Sequence, residues 1–162
     1  MKVQYIEAPS LEQAKYPSIF LAGGITNCPD WQSEVCRELS WQELTLFNPR
    51  RKSFPIHDET AAQMQIEWEY ERLRGADILL FWFSRGSVNP IVMFEYGSAL
   101  ERHENIVVGV DPGYPRRQDV YIQTALRRPK LKIAFELVAL CIRANEMAKQ
   151  QANQPGKGGR RE

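Results

Sequence analysis

Residues 76–100, ADILLFWFSRGSVNPIVMFEYGSAL, constrain the fold more than any other stretch of the chain. The apolar run Ile78 to Phe83 reads as a strand covered on both faces. A polar loop, Ser84 to Asn89, follows it, and Pro90 is placed to open an amphipathic helix. Strand, short loop and helix make half of a parallel α/β unit, and ligands on such sheets bind at the carboxyl ends of the strands. Glu95 lies just beyond that loop on a stretch otherwise apolar or small. It is badly placed for stability alone and well placed to act on a substrate.

The same alternation runs through the chain. Ser18 to Ala22 is a short apolar run ended by Gly23 and Gly24, and Trp31, Val35 and Leu39 then recur at helical spacing. Leu44 to Phe47 reads as a second strand, stopped by Asn48 and Pro49. A helix is expected over Thr60 to Arg74, with the stripe Met64, Trp68 and Leu73 and a stop at Gly75. Ile106 to Val110 and Leu131 to Phe135 complete the strands, with helices over Val120 to Arg128 and Glu136 to Gln151. Five apolar runs alternating with helices predict an α/β fold: a single flavodoxin-like, Rossmann-like domain with a five-stranded parallel sheet and helices on both faces. Right-handed crossovers favour the strand order 2-1-3-4-5. The domain is expected over residues 1–152, and the tail 153–162 is expected to be disordered.

Composition narrows the functional classes. The chain has 162 residues and a formal net charge of +1, so no global field would recruit polymeric nucleic acid or an anionic membrane. No stretch is long and apolar enough for a spanning helix, and the N-terminus lacks the apolar core of a secretory signal. Cys28, Cys36 and Cys141 are scattered without a CxxC, which argues against a disulfide framework and makes a reducing cytoplasm the expected location. His57 and His103 stand outside any ligand motif, so no metal is expected.

Three loops meet at one edge of the predicted sheet. In LAGGITN, Gly23 and Gly24 let backbone N–H groups approach a ligand closely, although the segment has neither the GxGxxG nor the P-loop spacing. In NPRR, Asn48 ends a strand and Arg50 and Arg51 can face a phosphate or carboxylate. Ser84, Arg85 and Asn89 lie at the third loop, where Asn89 can also serve simply as a helix N-cap before Pro90. Trp31, one loop from Gly24, is a candidate for stacking on a planar ring. Glu95 shares a helix face with Ile91, Ser98, Ala99 and Arg102, near an N-terminus whose dipole favours an anion.

The ordered series SIFLAGGI, DWQ, LFNPRR, QIEWEYERLRGADILLFWF, NPIVMFEYGSAL and VVGVDPGYPRRQDVYIQTALRRP resembles the nucleoside 2-deoxyribosyltransferase-like family over roughly residues 18–140. The resemblance implies cleavage or transfer at the N-glycosidic bond of a nucleoside or nucleotide, without a cofactor. Glu95, with Gly97 and Ala99, matches the family's ExGxA nucleophile pattern, and Asp77 matches the acidic position from which the leaving base would be protonated. Substrate contacts are expected from Gly23, Gly24, Ile25, Trp31, Asn48, Arg50, Ser84, Asn89 and Ser98. A homo-oligomer is implied by analogy. Two positions depart from the transferase pattern. Asn89 stands where those enzymes place an Asp, and an amide orients a base or hydroxyl but cannot act as a carboxylic acid. The tail GKGGRRE has no counterpart of their C-terminal tyrosine and carboxylate. The alternative reading is a nucleotide-sensing module of the same fold without turnover.

Overall fold

A computed structural model describes residues 3–15 and 17–154; residues 155–162, most of the expected disordered tail, lie outside the described residues. The elements in chain order are β1 (Gln4–Glu7), β2 (Ser18–Gly23), α1 (Trp31–Glu38), β3 (Thr45–Asn48), α2 (Glu59–Gly75), β4 (Ile78–Phe83), α3 (Pro90–Arg102), β5 (Ile106–Val110), α4 (Arg117–Arg127), β6 (Ile133–Ala134) and α5 (Leu137–Ala152). They form one parallel sheet in the order β1-β3-β2-β4-β5-β6. The five expected strands therefore take their expected order, and a sixth, β1, extends the sheet beside β3. This is a correction to the five-stranded reading. Between polar neighbours, the short segment QYIE carries one fully buried side chain, Ile6, and its ladder to β3 is what makes it a strand. At the other edge β6 is shorter than the run 131–135, because β5 offers it partners only at Val108 and Gly109.

Every residue of β4 is buried because helices cover both faces of the sheet. On one face Phe20, Phe47, Phe81 and Phe83 pack with Trp68 of α2, with Val92, Tyr96 and Leu100 of α3, and with Val120 of α4. On the other, Leu21, Leu46, Leu80 and Trp82 pack with Trp31 and Val35 of α1 and with Leu140 and Ala144 of α5. Asp30 and Asp58 cap α1 and α2, accepting from Ser33 N and Thr60 N. Helix α2 runs through Gly75 and ends on Ala76, whose extended backbone leads directly into β4. Met64, placed on the expected core stripe, is half exposed, and Trp68 does the packing instead. Among the described residues no helix is long and apolar enough to cross a membrane.

Candidate active site at the carboxyl edge of the sheet

Strands β2 and β4 are neighbours, yet the chain leaves them toward opposite faces, to α1 and to α3. That divergence opens a crevice at their carboxyl ends. The two loops that leave it, 24–30 and 84–89, close on each other. Gly86 adopts a left-handed φ of +98°, and a Cβ there would lie 2.4 Å from Asn27 O. A Cβ on Gly24 would lie 2.3 Å from Asn89 Oδ1 and 2.5 Å from Cys28 Sγ, and one on Gly23 would strike the Trp31 indole at 2.4 Å. The glycines are thus required by loop-on-loop and loop-on-indole packing.

Asn89 takes a left-handed backbone, φ 51° and ψ 62°, and its side chain makes no capping hydrogen bond. The N-cap expectation is corrected; Pro90 at the first helical position starts α3 unaided. The Cys28 thiol donates to Asn89 Oδ1 at 3.5 Å, while Asn89 Nδ2 is buried without a partner. Five buried side-chain polar atoms lack a hydrogen bond among the described residues: those of Gln32, Arg50, Gln65, Asn89 and one on α5, Asn145. Native proteins satisfy nearly all such groups. Gln32, Arg50 and Asn89 surround loop 24–30, and Gln65 reaches Pro49 O, just beyond the carboxyl end of β3. Four of the five orphans therefore mark the edge where a ligand would bind.

Glu95 is placed by its neighbour. Tyr96 docks α3 on the sheet, edge-on to Phe81 at 5.0 Å and Phe83 at 5.2 Å between ring centroids, with its hydroxyl on Thr124 Oγ1 at 2.8 Å. The buried face is therefore Val92, Tyr96, Ala99 and Leu100, and Glu95 stands at its flank, half-buried, with Ile91 turned outward. On α2 the aromatic Trp68 docks against Phe20 and Phe47, and the next residue, Glu69, comes within electrostatic reach of Glu95. Burial pushes the Glu95 carboxyl up to about 8, and the nearby Glu69 charge adds to the shift. Burial also raises Glu69, against the opposing effect of Gln65 Nε2, which donates to Glu69 Oε1 at 2.6 Å and to Pro49 O at 2.8 Å. Two half-buried carboxyls within electrostatic reach of each other cannot both ionise cheaply. Glu69 was not among the sequence candidates. In QIEWEYERLR it is one carboxylate among several, and only the docking of Trp68 selects it.

The other candidates are placed unequally. Trp31 is 2% exposed on the α1 face, and its indole N–H donates to Gly24 O at 3.0 Å, so it supports the glycine loop from behind. Buried Asn48 donates from Nδ2 to Tyr5 Oη and accepts from Arg50 N at 2.9 Å. Arg50 Nη2 donates to the carbonyls of Ile25, Cys28 and Pro29 at 3.1, 3.2 and 3.0 Å, with the Asp30 carboxylate 3.6 Å from Nε. Ile25 and Arg50 thereby brace the loop, and the anion-facing expectation for Arg50 gives way to this role. Ser84 is buried in a cleft of about 460 Å³ on the α1–α5 side, shared with Trp31, Trp82, Arg85, Asp111 and Glu136; Glu95 is not among its walls. Ser98, one turn beyond Glu95, accepts from Arg102 at 2.6 Å.

Asp77 lies at the amino end of β4, across the length of the strand from the crevice. Its Oδ2 accepts from Ser18 N at 2.8 Å and Ser18 Oγ at 2.7 Å, fastening β2 to β4. Six strand residues at about 3.3 Å each put roughly 20 Å between that clasp and the loop edge. The structure does not bring Asp77 to Glu95, and the proton-donor role implied for it gives way to this clasp. Asp77→Ala should destabilise the fold by about 1–3 kcal/mol, because the buried Ser18 N–H loses its acceptor. Activity per folded molecule should hold; chemical denaturation and an active-fraction assay check both halves.

A doubly wound parallel sheet with orphaned amides around the crevice between β2 and β4 is the architecture on which α/β domains bind their ligands. The sequence pattern of the nucleoside 2-deoxyribosyltransferase-like family matches residues 16–114, and the chain belongs to that family. The matched segment runs from the start of β2 past β5 and contains Glu69, Asn89 and Glu95. Among curated proteins none matches the chain.

Proposed function

We propose that this protein is an enzyme that cleaves or transfers at the N-glycosidic bond of a nucleoside or nucleotide, with Glu95 as nucleophile and Glu69 managing the proton of the leaving base. The observation that carries this reading is that Glu95 and Glu69, half-buried on α3 and α2 inside the family-matched segment, lie within electrostatic reach of each other. Ionised Glu95 attacks C1′, the C–N bond breaks through an oxocarbenium-like transition state, and the departing base takes the proton held by Glu69. The glycosyl ester is then opened by a second base, giving transfer, or by water, giving hydrolysis. In either case the incoming nucleophile returns its proton to Glu69. The chemistry needs no cofactor. Exposed Ile66 and Tyr70 on α2 and Ile91 and Phe94 on α3 support a homo-oligomer that covers this face. Three free cysteines fit a reducing cytoplasm.

The pair holds one proton, which rests on Glu95 in the free protein and lies on Glu69 in the form that reacts. With Glu95 pushed up to about 8, that last proton leaves as the pH passes about 8. kcat/KM should therefore be bell-shaped, with its alkaline limb near pH 8. A rate that keeps climbing through pH 9 would show that only Glu95 must ionise and would remove Glu69 from the proton's path. Chromatography of free base released from a panel of nucleosides and nucleotides tests the reaction itself, and a second added base separates transfer from hydrolysis. Asn89, an amide that can hold a ligand but not move a proton, favours a sensing module as the second reading. Ligand-induced thermal stabilisation without base release from any substrate would establish that reading over the first.

A further inference from the structure

The cleft on the α1–α5 side, which Glu95 does not line, has a chemistry of its own. Trp31, Trp82, exposed Phe135, Pro29 and Pro112 give it apolar walls. Its charges are Glu34 in the first turn of α1, Arg85, Asp111, and Glu136 at the start of α5. Arg85 Nε lies 2.9 Å from Asp111 Oδ2, so these two cancel within the wall. Glu34 and Glu136 have no ion pair among the described residues. Neither is used as a helix cap: Asp30 caps α1, and Glu136 makes no capping bond at α5. Three carboxylates against one guanidinium leave the cleft negative. Burial first, and then the charges of Glu38 and Glu34, push the Cys141 thiol of α5 up to about 12, so the same field reaches the packing between α1 and α5. Ser84 also lines the cleft. It is 1% exposed, and its hydroxyl makes no hydrogen bond among the described residues. A buried hydroxyl is ordinarily paired, which leaves this one for an occupant.

We propose that this cleft binds a small organic cation, a protonated amine carried on an aromatic or apolar body. The ammonium donates to the Glu34 and Glu136 carboxylates and to Ser84 Oγ, and the body lies against Phe135 and the two prolines. A volume of about 460 Å³ suits such a molecule. Among the described residues no three acidic, histidine or cysteine side chains are grouped to hold a metal ion, so the cation is an organic one. A phosphate or carboxylate fits poorly, because it would stand among three carboxylates with the one guanidinium already on Asp111. The site is separate from the reaction proposed above. Pro29 belongs to loop 24–30, and Ser84 and Arg85 to loop 84–89, so an occupant touches both loops that border the Glu95 side of the edge.

The test uses the intact protein, ¹⁵N-labelled, with benzylamine as the probe, benzyl alcohol as its neutral counterpart and inorganic phosphate as the anion. Benzylamine should bind saturably, moving the backbone signals of Ser84, Arg85 and Phe135, and its affinity should fall as salt is raised. Benzyl alcohol should bind at least about tenfold more weakly, the usual worth of a hydrogen bond to a charged group. Glu34→Gln combined with Glu136→Gln changes two exposed side chains and should leave the fold intact. That double variant should bind benzylamine about as weakly as the wild type binds the alcohol. A folded Ser84→Ala should bind it about fivefold more weakly than the wild type. No saturable shift at the cleft, equal affinity for the alcohol, or tighter binding of phosphate at the same signals would each overturn the site. So would unchanged benzylamine affinity in the double variant or in a folded Ser84→Ala. If Ser84→Ala does not fold, the double variant decides alone.

Discussion

Glu95→Gln should lower kcat by roughly a thousandfold or more while leaving substrate binding nearly intact, because the amide keeps the shape of the carboxylate and cannot form the glycosyl ester. A surface substitution would move stability by about 0.5 kcal/mol and rate by little. Glu69→Gln should behave differently, and the contrast separates the two roles. A base that must leave as a neutral molecule needs a proton, so this variant should be slow on ordinary nucleosides. A purine nucleoside methylated at N7 already carries its positive charge and can depart without one. Glu69→Gln should therefore recover much of the wild-type rate on that substrate, whereas Glu95→Gln should not. Steady-state kinetics on the two substrates with the two variants provides the comparison. Equal losses on both substrates would assign Glu69 to positioning Glu95 rather than to proton transfer, and a wild-type rate for Glu95→Gln would end its role as nucleophile.

The backbone plan was largely legible because it depends on short-range pattern. Ile78 to Phe83 can only be a strand buried on both faces, and the segments around it alternate as parallel α/β units must. Strand β1 escaped because an edge strand of four residues with a single buried side chain carries too little pattern to stand out. Site residues divide along the same line. Glu95 was visible as a carboxylate out of place on its helix. Glu69 was not, since its meaning comes from its electrostatic reach to a residue on another helix, 26 positions away in sequence. Residue type alone points Trp31 and Arg50 toward a ligand. The structure gives both of them backbone carbonyls of the 24–30 loop to hold, a duty that residue type does not reveal. Asn89 can be read from sequence as a ligand contact or as a cap, and its left-handed backbone comes with no capping hydrogen bond from the side chain.

The same Glu95→Gln substitution should make the protein more stable, and the gain should depend on pH. In the unfolded chain the carboxyl titrates near its ordinary value of 4.5, and in the folded protein burial and Glu69 push it up to about 8. Between those values the folded state holds a proton that the unfolded state has released, so wild-type stability falls as the pH rises through the window and levels off above about 8. Glutamine carries no charge at any pH and escapes that loss. The full shift would correspond to about 5 kcal/mol; because Glu95 keeps some contact with solvent, a gain on the order of 2 kcal/mol at pH 8.5 is expected. For a domain of this size that is a rise in Tm of about 5 °C, shrinking toward zero near pH 4.5. Thermal melts of both proteins at pH 4.5, 6.5 and 8.5 measure it. A gain that does not vary with pH would mean that Glu95 ionises in the folded protein as freely as in water, and its surroundings would then be open to solvent. A gain that grows with pH, joined to the loss of turnover, would show a carboxylate that the fold tolerates at a cost, which is the behaviour expected of a group kept for chemistry rather than for stability.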